Sequence, residues 1–237
     1  MATVNNGSLT DYTALASGGY LKYTYRVGKR FTLGAALYNT THVGGMNLTQ
    51  PDPVTGRISR YEAGLFDGLD LANDAVFLLG EAFIAYQLPE HRFKLGRMKI
   101  NSPLINPQDG RMIPTLAQGV WYEFQPDDAF KLQAGVLNRI APRSTGEFFG
   151  IGESIGTYPA GRSPEGTPSG YPGNTQSEYI AMLNAQLKVS DRLDIHLWDY
   201  LVENVSNDQR FPAVRQVYRI TGMAILKISQ VIIFYQV

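Results

Sequence analysis

The chain has 237 residues, and its 21 Lys and Arg residues balance its 21 Asp and Glu residues. This balance excludes the basic excess of a nucleic-acid-binding surface, so we expect no nucleic-acid partner. Cysteine is absent, which excludes a disulfide-stapled scaffold, and no apolar run reaches the roughly 18 residues of a transmembrane helix. The 14 Tyr and 24 Gly residues favour a β-rich chain with long connections.

The first predicted element, residues 20–27, alternates apolar and polar side chains. Its apolar residues occupy odd positions from Leu21 to Val27, and its polar residues occupy even positions from Lys22 to Arg26. Successive side chains of a strand point to opposite faces, so the pattern predicts a strand with two different faces. Residues 28–30 predict a turn into a second strand at 31–37.

The same strand–turn–strand unit recurs along the chain. Further tight turns are predicted at 89–91, 126–129 and 190–191. The strands around these turns are predicted at 82–88, 92–100, 120–125, 130–140, 178–189 and 192–200, and residues 213–224 are predicted as a ninth strand.

Long connections alternate with the tight turns, at about 39–76, 101–117, 141–177 and 204–212. Outer-membrane barrels have short turns at one end, long loops at the other, and strands of about 9–11 residues. The sequence therefore predicts an all-β fold: a single-domain, antiparallel transmembrane β-barrel with long external loops, in the bacterial outer membrane. Its apolar faces would contact lipid and its polar faces would line a water-filled lumen.

Charged residues on the polar faces are the candidate lumen residues. Lumen charges attract oppositely charged solute groups in a narrow aqueous path, which predicts a channel for passive, selective diffusion of small polar solutes. The candidates are Lys22, Arg26, Glu81, Lys94, Glu123, Lys131, Arg139, Lys188, Arg192 and Asp194.

The connection 101–118 has the features of a pore-narrowing loop. Three prolines stiffen it, and it carries one acid, Asp109, and one base, Arg111. Folded into a barrel, such a loop would narrow the lumen and place fixed charges beside the passing solute. An ordinary rigid external loop is the alternative.

The segment 93–114 (FKLGRMKINSPLINPQDGRMIP) resembles the OprD family of outer-membrane porins, particularly its Bacteroidetes-type members. The segments 142–145 (PRST) and 152–159 (GESIGTYP) share the resemblance. It implies a large monomeric barrel with inward-folded loops, a basic ladder in the lumen and uptake of amino acids, carboxylates or similar solutes. It also implies that Asp109 and Arg111 lie at the constriction and that Arg139 and Arg143 line the lumen.

Two features depart from that family. About nine strands are too few for its barrel, and the last thirteen residues look unlike it, so we expect residues 1–237 to be one porin domain that is incomplete at both ends. The alternation also fails at Arg97 and Lys99, which fall on the apolar face of Phe93. A bulge, or a strand that ends early, would explain this failure.

Two other functions remain open from the sequence. The segment 152–156 (GESIG) matches the pattern of a nucleophile elbow, so an outer-membrane barrel hydrolase with Ser154 as nucleophile is possible in principle, although the prolines that follow disfavour the required helix. The Tyr-rich strands would also suit a secreted β-sandwich that binds carbohydrate. The histidines His42, His91 and His196 have no metal-ligand spacing, so no metal or cofactor is expected.

Overall fold

The computed structural model describes residues 1–5, 7, 9–107, 112–157, 170, 175–190, 193–203, 217–228 and 231–236. Within these residues the chain forms twelve strands and two short helices. The strands are β1 (Ala2–Thr3), β2 (Tyr12–Val27), β3 (Phe31–Gly45), β4 (Ala75–Gln87), β5 (His91–Met98), β6 (Leu116–Phe124), β7 (Phe130–Ala141), β8 (Phe149–Gly150), β9 (Ile180–Ser190), β10 (Leu193–Glu203), β11 (Val217–Ile228) and β12 (Val231–Gln236). The helices are α1 (Arg60–Ala63) and α2 (Ile151–Ser154).

All twelve strands belong to one antiparallel sheet. Strands that follow each other along the chain pair with each other, except that β9 pairs directly with β7 while the short β8 adds to the end of β7. This up-and-down order confirms the predicted antiparallel fold. Neither described helix is long or apolar enough to cross a membrane.

The strand count and some strand bounds differ from the prediction. β2 begins at Tyr12 rather than at residue 20, because residues 12–19 continue the same ladder through the small pair Gly18 and Gly19. β11 spans Val217–Ile228 rather than 213–224, and β12 follows it. The count of about nine is therefore too low: ten of the described strands have six or more residues, and β1 and β8 have two each.

Short turns and long connections lie at opposite ends of the sheet, as the alternation of their lengths predicts. The turns 28–30, 88–90 and 125–129 join β2 to β3, β4 to β5 and β6 to β7. The connections 46–74 and 99–115 join β3 to β4 and β5 to β6 at the other end, where β7 also ends. We call the end with the short turns the turn end of the sheet and the end with the long connections the loop end.

The two faces of the sheet differ in what covers them. On the outer face, large apolar side chains are exposed, among them Leu21, Tyr23, Leu33, Ile84, Leu95, Val120, Val136, Leu183 and Leu187. On the inner face, strand residues such as Tyr38 and Leu137 pack in buried clusters. The long connections contribute Ile100, Ile113, Phe148 and Ile151 to those clusters. The described parts of these connections therefore fold inward over the sheet, as the family resemblance implies.

Aromatic rings form a belt on the outer face at the turn end. Phe31, Tyr86, Phe93 and Tyr122 are register partners on four neighbouring strands. The rings of Phe31 and Tyr86 are 4.8 Å apart, as are those of Phe93 and Tyr122. Such belts mark the membrane interface of outer-membrane barrels. Trp198, in contrast, packs in the buried cluster of Leu137 on the inner face.

Irregularities interrupt the alternation at several places, and three of them concern β4, β5 and β7. The register shifts so that Gly80 and Asn138 have no cross-strand partner in the β3–β4 and β6–β7 ladders. Before Gly80 the buried side chains of β4 stand at even positions, such as Leu78, and after Gly80 they stand at odd positions, such as Glu81. Gly96 adopts a φ of 121°, and a Cβ there would collide with the carbonyl oxygen of Ala82, so only glycine fits.

Candidate functional site

Polar side chains form a continuous row across the inner face, which we call the charged row. Its members come from six strands, β2, β4, β5, β6, β7 and β9, and acids alternate with bases over its first part. The members of the charged row are Lys22, Glu81, Lys94, Glu123, Lys131, Gln133, Asn184 and Gln186.

Glu81 anchors the first part of the charged row. Its side chain is 2% exposed, and its two carboxylate oxygens accept separate hydrogen bonds. Lys22 Nζ donates to Oε2 at 2.7 Å, and the Tyr38 hydroxyl donates to Oε1 at 2.9 Å. A buried carboxylate is tolerated only with such partners, since removal from water is otherwise costly. Glu81 therefore holds the Lys22 ammonium group in a fixed position on the inner face.

An aromatic ring lies between the first two lysines of the charged row. The Nζ of Lys94 is 3.9 Å from the centre of the Phe83 ring, and the Nζ of Lys22 is 5.5 Å from it. Cations at such distances over a ring face are attracted by its quadrupole. Gly34 makes room for the ring, since a Cβ there would collide with it. Phe83 thus holds two cations apart on the inner face.

Glu123 organises the second part of the charged row. Lys131 Nζ lies 2.8 Å from Glu123 Oε2, and the Gln133 amide donates to the same oxygen at 3.1 Å. Gln133 Oε1 in turn accepts hydrogen bonds from Asn184 at 2.8 Å and Gln186 at 3.3 Å. These contacts link side chains of β6, β7 and β9 to one another, so the polar surface is unbroken across the three strands.

Five of the predicted lumen residues thus come together in the charged row, and four others lie apart from it. Arg26 is exposed near the turn end of β2, opposite Thr32. Lys188 and Asp194 face each other across the β9–β10 ladder and line a depression at the turn end with Lys131. Arg139 lies one residue beyond the irregularity at Asn138, where the alternation that grouped it with Lys131 no longer holds.

The remaining predicted site residues belong to the connections. Arg143 lies in the connection that follows β7, and its backbone N–H donates to the Thr115 hydroxyl at 3.1 Å. Asp109, Arg111 and Arg192 lie outside the described residues.

Arg97 and Lys99, where the alternation fails, both contact rings of the inner clusters. The Arg97 guanidinium group lies 4.5 Å from the centre of the Phe148 ring. Lys99 Nζ lies 4.7 Å from the Tyr20 ring and 5.3 Å from the Tyr38 ring. β5 ends at Met98, before Lys99, and Gly96 breaks the regular backbone before Arg97. The predicted early strand end therefore accounts for Lys99, whereas no bulge occurs in β5, since its ladders with β4 and β6 continue through Arg97 without a register shift.

Sequence reasoning missed Phe83, Gly34 and the amide members of the charged row. Phe83 is apolar, so it is no obvious candidate for a polar face, although it stands at an odd position of β4 like Glu81. This shared position in the alternation is the sequence signal that places the Phe83 ring on the same face as Glu81. Gln133, Asn184 and Gln186 carry no charge, so a search for charged residues on the polar faces does not find them.

The described geometry around Ser154 differs from a nucleophile elbow. Ser154 is the last residue of α2, and its hydroxyl donates to the Ile151 carbonyl at 2.8 Å. An elbow places the nucleophile between a strand and a helix that follows it, whereas Ser154 lies at the end of a helix. Within the described part of the chain, no group of three or more His, Asp or Glu residues could hold a metal ion.

Comparison with known proteins gives a family match and several structural likenesses. The family described as "outer membrane porin, OprD family" matches residues 82–231. The chain is similar to the crystal structure of Pseudomonas aeruginosa OccK9 (OpdG), with a TM-score of 0.58 and 17% identity over 95% of this chain and 53% of that one. It is also similar to Acinetobacter baumannii OccAB4, with a TM-score of 0.56 and 11% identity over 99% of this chain and 58% of that one.

A third similar structure is Pseudomonas aeruginosa OpdK with vanillate, at a TM-score of 0.53 and 17% identity over 82% of this chain and 47% of that one. These likenesses, all at low identity, concern the fold. The chain spans about half the length of the solved chains that it matches. No curated protein sequence matches it significantly. The narrower resemblance to Bacteroidetes-type members stays a prediction.

Proposed function

The chain belongs to the OprD family of outer-membrane porins, and on that premise we propose that its inner face lines a channel for passive, selective diffusion of small polar solutes. The observation that carries the proposal is the contrast between the two faces of the sheet. Leu33 and Leu95 are exposed on one face, while the charged row crosses the other. Lipid outside and water inside would satisfy both faces.

The solutes that we propose are amino acids, carboxylates or similar small polar molecules. Lys22 and Lys131 each pair with a carboxylate of the charged row, whereas Lys94 makes no ion pair within the described residues. An ammonium group without a carboxylate partner in a narrow aqueous path attracts a solute carboxylate. The similar OpdK structure contains vanillate. We therefore propose Lys94 as the main solute-facing cation of the charged row.

The other predicted lumen residues would extend this path towards both ends. Arg26, Lys188, Arg192 and Asp194 would act near the turn end, and Arg139 and Arg143 near the loop end. The constriction would be formed by Asp109 and Arg111. We propose that the complete barrel is monomeric and is surrounded by outer-membrane lipid.

The two alternative functions lack support in the described geometry. Porins are not enzymes, and the position of Ser154 at the end of α2 does not favour a hydrolase. A β-sandwich would cover Leu183 and Leu187 with a second sheet, yet these side chains are 46% and 45% exposed. A channel accounts for this exposure, since lipid would cover both.

Solute flux through the complete protein in liposomes tests the proposed function. We expect swelling with glycine and with small carboxylates, and a current in planar bilayers that prefers anions. Lys94→Gln should lower carboxylate uptake about twofold or more, because one unpaired cation of the path is lost. Lys29→Gln is the matched control, because Lys29 lies exposed in the turn 28–30.

Different failures of this experiment have different meanings. An absence of flux through the folded wild-type protein would contradict the channel function. Equal uptake by Lys94→Gln and Lys29→Gln would contradict the role of Lys94 and leave the channel standing. A covalent adduct of a serine-reactive phosphonate at Ser154 would favour the hydrolase instead.

A further inference from the structure

A buried serine connects three of the long connections at the loop end. The backbone N–H of Ser144 donates to the Ile113 carbonyl at 3.2 Å, and the Ser144 carbonyl accepts from the Gly68 N–H at 2.8 Å. The Ser144 hydroxyl donates to the Gly64 carbonyl at 2.5 Å. Ser144 is 3% exposed. Ser144, in the connection that follows β7, therefore bonds both to the connection 46–74 and to the connection 99–115.

The backbone conformation of Ser144 is unusual. Its φ is 61°, and it is the single non-glycine residue with a positive φ among the described residues. Side chains other than Asn and Asp rarely adopt this region, and such conformations persist only where the surroundings impose them. Here the amide, the carbonyl and the hydroxyl of Ser144 all have partners, so three hydrogen bonds hold the residue in place.

Neighbours of Ser144 make parallel contacts to the same two connections. Asp67 Oδ2 accepts a hydrogen bond from the Gly146 N–H at 2.9 Å. A Cβ at Gly146 would lie 2.8 Å from this oxygen, so the two loops approach closely. On the other side, the Thr115 hydroxyl accepts from the Arg143 N–H at 3.1 Å. We call Ser144 with Asp67, Thr115, Arg143 and Gly146 the loop clasp.

The loop clasp is joined to the ends of the predicted constriction segment. The Thr115 N–H donates to the Pro107 carbonyl at 3.2 Å, which holds residues 107 and 115 together. Asp109 and Arg111 lie between these two positions in the sequence. Ile113, whose carbonyl accepts from Ser144, is 2% exposed within the inner cluster of Tyr38. The clasp thus fixes both the ends of this segment and its attachment to the sheet.

We propose that Ser144 is a positioning residue that fixes Ile113 and Thr115 against the connection 46–74 on the inner face and thereby sets the width that these residues leave to the channel. The inference rests on the proposed channel function. Ser144 acts through the loops and contacts no solute. Without its hydrogen bonds, the strained backbone loses the contacts that impose it, and Ile113 and Thr115 lose their connection to the residues around Gly64.

Two variants of the complete protein, Ser144→Ala and Ser144→Gly, separate the contribution of the hydroxyl from that of the strained backbone. Alanine removes the hydroxyl and keeps the strained φ, whereas glycine removes the hydroxyl and accepts the φ without strain. Asp67→Ala breaks the clasp from the other loop and serves if a Ser144 variant fails to fold. Ser154→Ala is the matched control, since among the described residues the Ser154 hydroxyl bonds only to the Ile151 carbonyl in its own helix.

Two measurements are made on folded, detergent-purified protein. Amide hydrogen exchange at Gly68 should become about three- to tenfold faster in Ser144→Ala, less so in Ser144→Gly, and stay unchanged in Ser154→Ala. Single-channel conductance should rise about twofold in Ser144→Ala, because the narrowest segment of a pore dominates its resistance. Asp67→Ala should change both quantities in the same direction.

The outcomes distinguish this inference from the function on which it rests. A wild-type channel whose conductance is the same in Ser144→Ala, Asp67→Ala and Ser154→Ala would overturn the positioning role while the channel function stands. Unchanged exchange at Gly68 in both clasp variants would also overturn it. A wild-type protein without conductance would overturn the channel function and this inference together.

Discussion

Asp52 illustrates how a single side chain orders a long connection. Its side chain accepts hydrogen bonds from the backbone N–H groups of Thr10, Val54 and Thr55, at 2.6, 3.0 and 2.7 Å. These bonds require the ionised carboxylate, and those from Thr10 and Thr55 hold the pKa of Asp52 well below its ordinary value. The carboxylate thereby ties the connection 46–74 to the chain before β2.

We predict that acid loosens this connection and that Asp52→Asn abolishes the pH dependence. Because the folded-state pKa is lowered, the stabilisation is complete above the ordinary Asp pKa of about 3.9 and is lost as the pH falls through the lower folded-state pKa. Limited proteolysis of the connection at pH 7 and with pepsin at pH 2–3 measures this. Asp52→Asn should be cleaved readily at both pH values.

Asp11→Asn is the control for Asp52→Asn, because Asp11 accepts from the Asn5 N–H in an exposed position. If wild-type protein resisted cleavage equally at both pH values, with the protease rates normalised on an unfolded substrate, the assigned role of Asp52 would be wrong.

At the scale of the elements, the neighbouring strands β3 and β4 depend on each other for one packing arrangement. Gly34 and Phe83 are register partners, and the Phe83 ring occupies the space that a Cβ of Gly34 would need. Ring and glycine together place Lys22 and Lys94 on the inner face. A glycine in a strand interior, ordinarily unfavourable, is required here by the close approach of the ring.

We predict that Gly34→Val displaces the Phe83 ring and destabilises the folded protein by about 1–3 kcal/mol, the usual cost of overpacking. Urea unfolding in lipid vesicles measures this free energy. Gly44→Val in the same strand is the control, since no atom lies within 4 Å of a Cβ at Gly44. The double variant Gly34→Val with Phe83→Ala should recover part of the loss, and strict additivity of the two changes would contradict the argument.

At the scale of the whole molecule, the two faces of the sheet differ in chemical character. Large apolar side chains are exposed on the outer face, and the inward-folded connections with the charged row cover the other. Each strand contributes to both faces because its side chains alternate. Lipid contact on the outer face would explain why these apolar side chains have no protein cover.

We predict that Leu95→Arg destabilises the protein in vesicles by about 2–4 kcal/mol, the cost of a basic side chain near the bilayer midplane. Leu95 is 58% exposed on the outer face, so the variant removes little protein packing. Thr24→Arg, on the inner face with Lys22, is the control and should be tolerated. Equal free energies of unfolding for the two variants would argue against lipid on the outer face.

The sequence by itself determined the antiparallel strands, the two kinds of connection and the apolar outer face. These features follow from local patterns, since alternation with a period of two and the lengths of turns need no knowledge of distant residues. It also placed Lys22, Glu81, Lys94, Glu123 and Lys131 on polar faces, and these five meet in the charged row.

Only the tertiary structure decided the details that depend on contacts between strands. Gly80, Gly96 and Asn138 interrupt the alternation, so the alternation of the sequence does not show on which face Arg97 or Arg139 lies. The burial of Glu81 and the position of the Phe83 ring depend on residues from neighbouring strands. Likewise, Ser144 bonds to residues about 30 to 80 positions away, and no local pattern encodes such distant partners.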